Sequence, residues 1–221
     1  MARLRLAVLD VDGTLKEAES PYQFLHRRLG VAHLAAENRE LALSGRISYG
    51  EWLRRDVALW RGRSVTEICG LLAQNPYLPG APEFLRSLKA GGVRVALVTA
   101  GFTYNTEPIV AEFGIDYVLA NELAQENGIL TGLAINHVPE GGKAAFACEL
   151  RERLGVSVEE TLAAGDTAGD LELFDCAGVR MAVNPRSKHL ARRADVVLGP
   201  DLTGAVDWLT QRGYLLLPES S

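Results

Sequence analysis

At 221 residues, with 48% hydrophobic and 23% charged content, the chain falls in the globular range and can bury one substantial core while sparing residues for an insertion. A net charge of -5 excludes a general attraction to nucleic acid or to an anionic membrane, so neither is expected as a partner. The cysteines Cys69, Cys148 and Cys176 lie far apart without CxxC spacing and read as isolated thiols of a reducing compartment; the N-terminal apolar run is too short for a signal sequence, and a cytoplasmic location is expected.

The first apolar stretch, LRLAVL, reads as a buried parallel strand and runs into DVDGTL, with Gly13 allowing the chain to turn away. From Glu17 to Leu78 the apolar spacing becomes helical (Phe24, Leu25, Leu29; Trp52, Leu53, Val57, Trp60), interrupted near Gly30, Ser44-Gly45 and Gly62. This predicts a helical insert over residues 17–78, closed by the Pro76, Pro79, Gly80 and Pro82 cluster. Strand and helix then alternate: helix 81–91, strand 93–100, helix 104–113 and the strand DYVLANEL. Asn127-Gly128 marks a hairpin within 123–138. Helix 141–154, strand 161–165, helix 170–176, strand 179–183, helix 187–193, the strand ADVVLG and helix 202–212 complete the pattern. The tail LLLPESS reads as frayed or loosely docked. The expected fold is α/β, a doubly wound, Rossmann-like, mostly parallel sheet. Residues 1–16 and 79–221 form its core, and 17–78 a helical cap inserted after the first strand.

In such a sheet, ligands bind outside the carboxyl ends of the strands, so polar residues at those ends converge. Asp10 and Asp12, at i and i+2 of an extended segment, aim two like charges at one side, which calls for a cation or a proton between them. Thr99-Ala100-Gly101 ends the second strand, Gly165-Asp166-Thr167 a later one, and Asp170 follows one turn on. Lys143 opens the preceding helix in a chain with only four lysines against nineteen arginines, and a lysine ammonium acts as a point charge beside phosphate. Each signal has a plainer reading by itself: TAG as a turn, Lys143 as a solvated charge, Asp166 or Thr167 as a helix N-cap. Together they suit phosphoryl transfer with Mg²⁺. Asp10 and Asp166 hold the cation, Asp10 attacks phosphorus, Asp12 serves as acid and then base, and Thr99, the amides after it and Lys143 bind the phosphoryl oxygens.

The four motifs DVDGT, TAG, Lys143 and GDTAGD, in that order and over nearly the whole length, resemble the haloacid dehalogenase superfamily of Mg²⁺-dependent phosphatases. The cap position, TAGF and GDTAGDLELF resemble its phosphoserine phosphatase branch. The resemblance implies the same roles for Asp10, Asp12, Thr99, Lys143 and Asp166, adds the Asp12 backbone carbonyl to the metal ligands, and puts Asp170 in support of the metal. Substrate contacts are implied for Glu19, Ala100 and Gly101. Ala100 stands where that branch has a glycine, and Gly169 where it has asparagine. The cap arginine expected beside Glu19 is shifted or replaced by Asp56 in YGEWLRRDVAL, with Arg54 or Arg55 as substitutes.

The expected activity is hydrolysis of a small-molecule phosphomonoester by a monomer or homodimer. Phosphoserine and a sugar or methylthio-ketose phosphate are the candidate substrates. From a different class, a phospho-accepting receiver-type signalling domain also combines an Asp cluster with Thr and Lys. The insert of about sixty residues and a second carboxylate beside the nucleophile oppose that reading.

Overall fold

The computed structural model describes residues 2–139 and 141–218. Strand β1 (Leu6–Leu9) is followed by helices α1 (Pro21–Arg28), α2 (Ala32–Leu43), α3 (Tyr49–Ala58) and α4 (Val65–Leu72). Next come α5 (Ala81–Ala90), β2 (Arg94–Phe102), α6 (Thr103–Phe113), and the pair β3 (Tyr117–Glu126) and β4 (Ile129–Ile135). After α7 (Gly142–Arg153), the chain forms β5 (Thr161–Gly165), a 3₁₀ segment (Ala168–Cys176), β6 (Val179–Val183), α8 (Lys188–Arg193), β7 (Val196–Leu198) and α9 (Ala205–Gln211). The seven strands form one sheet in the order β4-β3-β2-β1-β5-β6-β7, parallel except for the β3–β4 hairpin.

β1 is apolar throughout because both of its faces are covered: Ala7 and Leu9 join a core with α5 and α9, while Leu6 and Val8 join one with α7 and the 3₁₀ segment. It pairs with β2 on one side and β5 on the other, so the chain winds outward in both directions from its tip. That switch point is where a crevice opens in such a sheet.

The helices at 21–72 have an apolar cluster of their own (Leu25, Leu53, Val57, Trp60, Ile68 and Leu72), which reaches the sheet through Phe102, Leu123 and Leu130. Ser20, Ser48 and Ser64 cap α1, α3 and α4 by accepting from Gln23, Glu51 and Glu67 amides. Gly80 has φ +77°, and a Cβ there would run into the backbone of Leu202 and Thr203, so only glycine admits this return to the sheet.

Three expectations need correction. Cys148 and Cys176 are joined as a disulfide, Cα atoms 5.3 Å apart, because α7 packs on the 3₁₀ segment and brings together residues separated by 28 positions; only Cys69 is a free thiol. The segment expected as helix 170–176 is 3₁₀ throughout, entered through a capping box between Thr167 and Asp170. The tail is anchored as far as Leu215, which is buried in the core; Leu216 and Leu217 are exposed, and residues 219–221 lie outside the described residues. Among the described residues, no helix is long and apolar enough to cross a membrane.

Candidate active site

A cavity of about 140 Å³ opens at the tips of β1, β2 and β5, roofed by the start of α1. Asp10, Asp12, Glu19, Thr99, Ala100, Gly101, Lys143 and Asp166 all line it. Asp170, fully buried, lies beneath as a partner of Lys143. These nine residues singled out from the sequence thus meet at this place.

Asp10 is 4% exposed and held at both oxygens, Oδ1 accepting from Lys143 Nζ at 2.6 Å and Oδ2 from Thr14 Oγ1 at 3.0 Å. Lys143 also donates to Asp170 Oδ1 at 2.7 Å, while Asp170 Oδ2 accepts from the Thr167 amide and hydroxyl. Asp12 faces the other way: Thr99 Oγ1 donates to one oxygen at 2.8 Å and Asn105 Nδ2 to the other at 2.7 Å. The Gly101 amide in turn donates to Thr99 Oγ1, so the TAG turn is a hydrogen-bonded unit. Gly13, at φ +87°, turns the chain where a Cβ would overlap the Asp166 carboxylate.

The electrostatics follow from burial and crowding. Burial raises Asp10 well above the usual carboxylate range, opposed by Lys143 and reinforced by Asp170, Asp166 and Asp12. Burial also lifts Asp12 to about 6 against the hydrogen bond from Thr99, and lifts Asp166 to about 7 with help from the Asp170 charge. For Asp170, burial is outweighed by Lys143, and its pKa falls; burial works against the Lys143 charge, yet Asp10 and Asp170 together raise its pKa.

Asp10, Asp166 and Asp170 offer oxygens within 4.8 Å of one another, a set that suits a hard divalent cation. Asp166 Oδ1 is buried without a hydrogen-bond partner among the described residues, an orphan acceptor that a cation would satisfy. The Asp12 carboxylate does not belong to this cluster, and both Asp170 oxygens are engaged by Lys143 and Thr167.

Glu19 does not act alone. Arg186 Nη1 donates to its Oε2 at 2.6 Å, and Arg186 Nε donates to Asp166 Oδ2 at 3.1 Å. Arg54 and Arg55 do not reach the cavity; both pair with Glu51 on the exposed side of α3, so neither replaces a cap arginine. Asp56 is buried instead, in an adjoining cavity.

Sequence reasoning missed Thr14, Asn105, Arg186 and the pair Tyr22 and Asn121, which both donate to the Ala100 carbonyl. For two of them a signal was present. Thr14 lies inside DVDGT, and Arg186 follows the tip of β6 as the polar residues of the other motifs follow theirs.

Comparison with known proteins agrees with this geometry. The model of the family described as haloacid dehalogenase-like hydrolase matches residues 7–175. A phosphoserine phosphatase of Archaeoglobus fulgidus is 36% identical over 183 residues, covering 82% of this chain and 53% of that protein. A phosphoserine phosphatase of Streptococcus thermophilus is 30% identical over 209 residues, covering 94% and 97%. The chain spans about half the length of several curated relatives that it matches. Among solved structures, a phospho-aspartyl intermediate analogue of a phosphoserine phosphatase superposes with TM-score 0.79 at 27% identity, over 93% of this chain and 99% of that one.

Proposed function

Since the chain belongs to the haloacid dehalogenase-like hydrolases, we propose that it is a Mg²⁺-dependent phosphomonoesterase working through an aspartyl-phosphate on Asp10. The observation that carries this reading is the Asp10 carboxylate, oriented by Lys143 and Thr14 in a cavity it shares with Asp12 and the orphan oxygen of Asp166. The solved phospho-aspartyl analogue of a similar protein supports the same intermediate.

Asp10 and Asp166 would hold the ion, with Asp170 behind them; when bound, it offsets the charge of the phosphoryl oxygens as they enter a crowded acidic site. The protein's own groups do the rest. Lys143 and Thr14 orient the Asp10 carboxylate for in-line attack, and an Asp10 oxygen bonds to phosphorus as the ester oxygen leaves. Asp12, positioned by Thr99 and Asn105, gives that oxygen its proton. In the second half, Asp12 takes a proton from water, the water oxygen bonds to phosphorus, and the bond to Asp10 breaks, releasing inorganic phosphate. Lys143 and the backbone amides after Thr99 stabilise the charge on the phosphoryl oxygens in both halves.

In this reading, helices 17–78 form a cap over a catalytic core of 1–16 and 79–221, and the cap excludes water while the first half proceeds. The substrate is a small phosphorylated metabolite, and the names of the relatives make phosphoserine the first ester to assay. The assembly is a monomer or homodimer, to be read by sedimentation. A cytoplasmic location belongs with a metabolite substrate, while the Cys148–Cys176 bond speaks against it, and cell fractionation decides.

Hydrolysis of p-nitrophenyl phosphate tests the proposal. Multiple turnovers with Mg²⁺ are expected, lost on adding EDTA and in Asp10→Asn. Acid quench of Asp12→Asn should trap phosphoenzyme. Stoichiometric labelling of the wild type without release would support a receiver instead, and Asp10→Asn retaining activity within about tenfold of wild type would refute the nucleophile.

A further inference from the structure

A second cavity, of about 300 Å³, lies among α1, α2 and α3 and meets the phosphate cavity at Ser20 and Tyr22, which line both. It has about twice the volume of the first, it is mainly apolar, and it lies where the alcohol half of an ester bound at Asp10 would extend.

Its buried polar groups are unbalanced. Asp56 is 4% exposed and lines the wall; Asn38 Nδ2 donates to its Oδ1 at 3.0 Å, and its other oxygen receives no side-chain hydrogen bond among the described residues. The Trp52 indole N–H leans toward the same carboxylate without completing a hydrogen bond. No cationic side chain among the described residues pairs with Asp56: Arg27 and Arg39 line the rim and face solvent. His26, 3% exposed, also lines the cavity, and its Nε2 has no hydrogen-bond partner among the described residues. Burial lowers the His26 pKa, against a hydrogen bond between the ring and the Asp56 backbone carbonyl, and so favours the neutral ring, which has one nitrogen that accepts.

A buried carboxylate lacking a counter-charge and an unpaired imidazole nitrogen are two costly features side by side. Both are relieved by one kind of occupant, a protonated amine with N–H bonds to donate. A carboxylate in the same space would meet the Asp56 charge and be repelled. The aromatic rings of Tyr22, Tyr49 and Trp52 around the cavity add a favourable surface for a cation.

We propose that this cavity receives the alcohol half of the substrate and selects a phosphate ester of an amino alcohol, its ammonium seated between Asp56 and His26. The proposal rests on the phosphomonoesterase reading and narrows its substrate class. Phosphoserine, whose carboxylate has to share this space, becomes the poorer ester.

Two measurements decide it. In Mg²⁺ kinetics with phosphoethanolamine, phosphoserine and p-nitrophenyl phosphate, wild type is expected to favour phosphoethanolamine over phosphoserine in kcat/KM by about tenfold or more. In Asp56→Asn, the ratio of phosphoethanolamine to p-nitrophenyl phosphate should fall by a similar factor, mainly through KM. An NMR titration with 3-aminopropan-1-ol reads the cavity without turnover: resonances of α1 and α3 shift in wild type, and Asp56→Asn weakens binding by about tenfold. Preference for phosphoserine, or a ratio unchanged in Asp56→Asn, overturns the proposal, as does amine binding indifferent to Asp56. Absence of hydrolysis of every ester would remove the phosphatase reading while the titration still decides what the cavity binds.

Discussion

Asp56 places a pH-dependent burden on folding that Asp56→Asn should lift. Burial moves its pKa from an ordinary 3.8 to about 6, against the hydrogen bond of Asn38 and the pull of the nearby Trp52 N–H. The folded state thus holds a proton that the unfolded chain has released between those two values, and stability falls as pH rises through them. Once pH has passed both, the penalty is about 3 kcal/mol. An asparagine keeps an oxygen for the Asn38 donor but carries no charge to desolvate. Urea unfolding of wild type and variant at pH 4.5 and pH 8 isolates the effect, since every other carboxylate cancels in the comparison. Relative to wild type, the variant should gain about 2 kcal/mol between the two pH values, since about a third of the penalty is already present at pH 4.5. A gain below about 0.5 kcal/mol would show that the carboxylate is solvated or paired in solution, and the uncompensated charge in the cavity among α1, α2 and α3 would go with it.

Lys143→Ala leaves Asp10 and Asp170 without their shared cation; a loss of about 3–5 kcal/mol in urea unfolding and about 100- to 1,000-fold in kcat on p-nitrophenyl phosphate is expected. Gly13→Ala forces a side chain into the left-handed region and against Asp166, so the variant should fold with far-UV circular dichroism like wild type yet lose at least about tenfold in kcat/KM, traceable to weaker Mg²⁺ dependence. Cys148→Ser opens a link spanning 28 positions and should lower unfolding free energy by about 3–4 kcal/mol under non-reducing conditions, with no difference from wild type in dithiothreitol.

The catalytic end of the sheet was legible because its signals are local. A parallel strand buried on both faces has to be continuously apolar, so LRLAVL announces β1, and whatever polar residues follow it are at its tip. The same logic located Thr99 and Asp166. What escaped depends on packing between distant segments. Asp56 sits beside the apolar stripe of Leu53 and Val57, and its burial comes from α2, whose Asn38 covers it. The cysteine pair likewise follows from α7 lying on the 3₁₀ segment, which no spacing within either element encodes. Arg186 is separated from Asp166 by a full strand, and its bonds to Glu19 and Asp166 arise only when β6 aligns beside β5.

One guanidinium fastens two parts of the molecule. Arg186 grips Glu19, at the threshold of α1, with one nitrogen and Asp166, at the tip of β5, with another. Swinging the helices away from the strand tips means surrendering the first grip, which leaves that arginine's whole charge to Asp166. The doorway and the acid beneath it therefore share a single guanidinium, and opening the one returns that charge to the other.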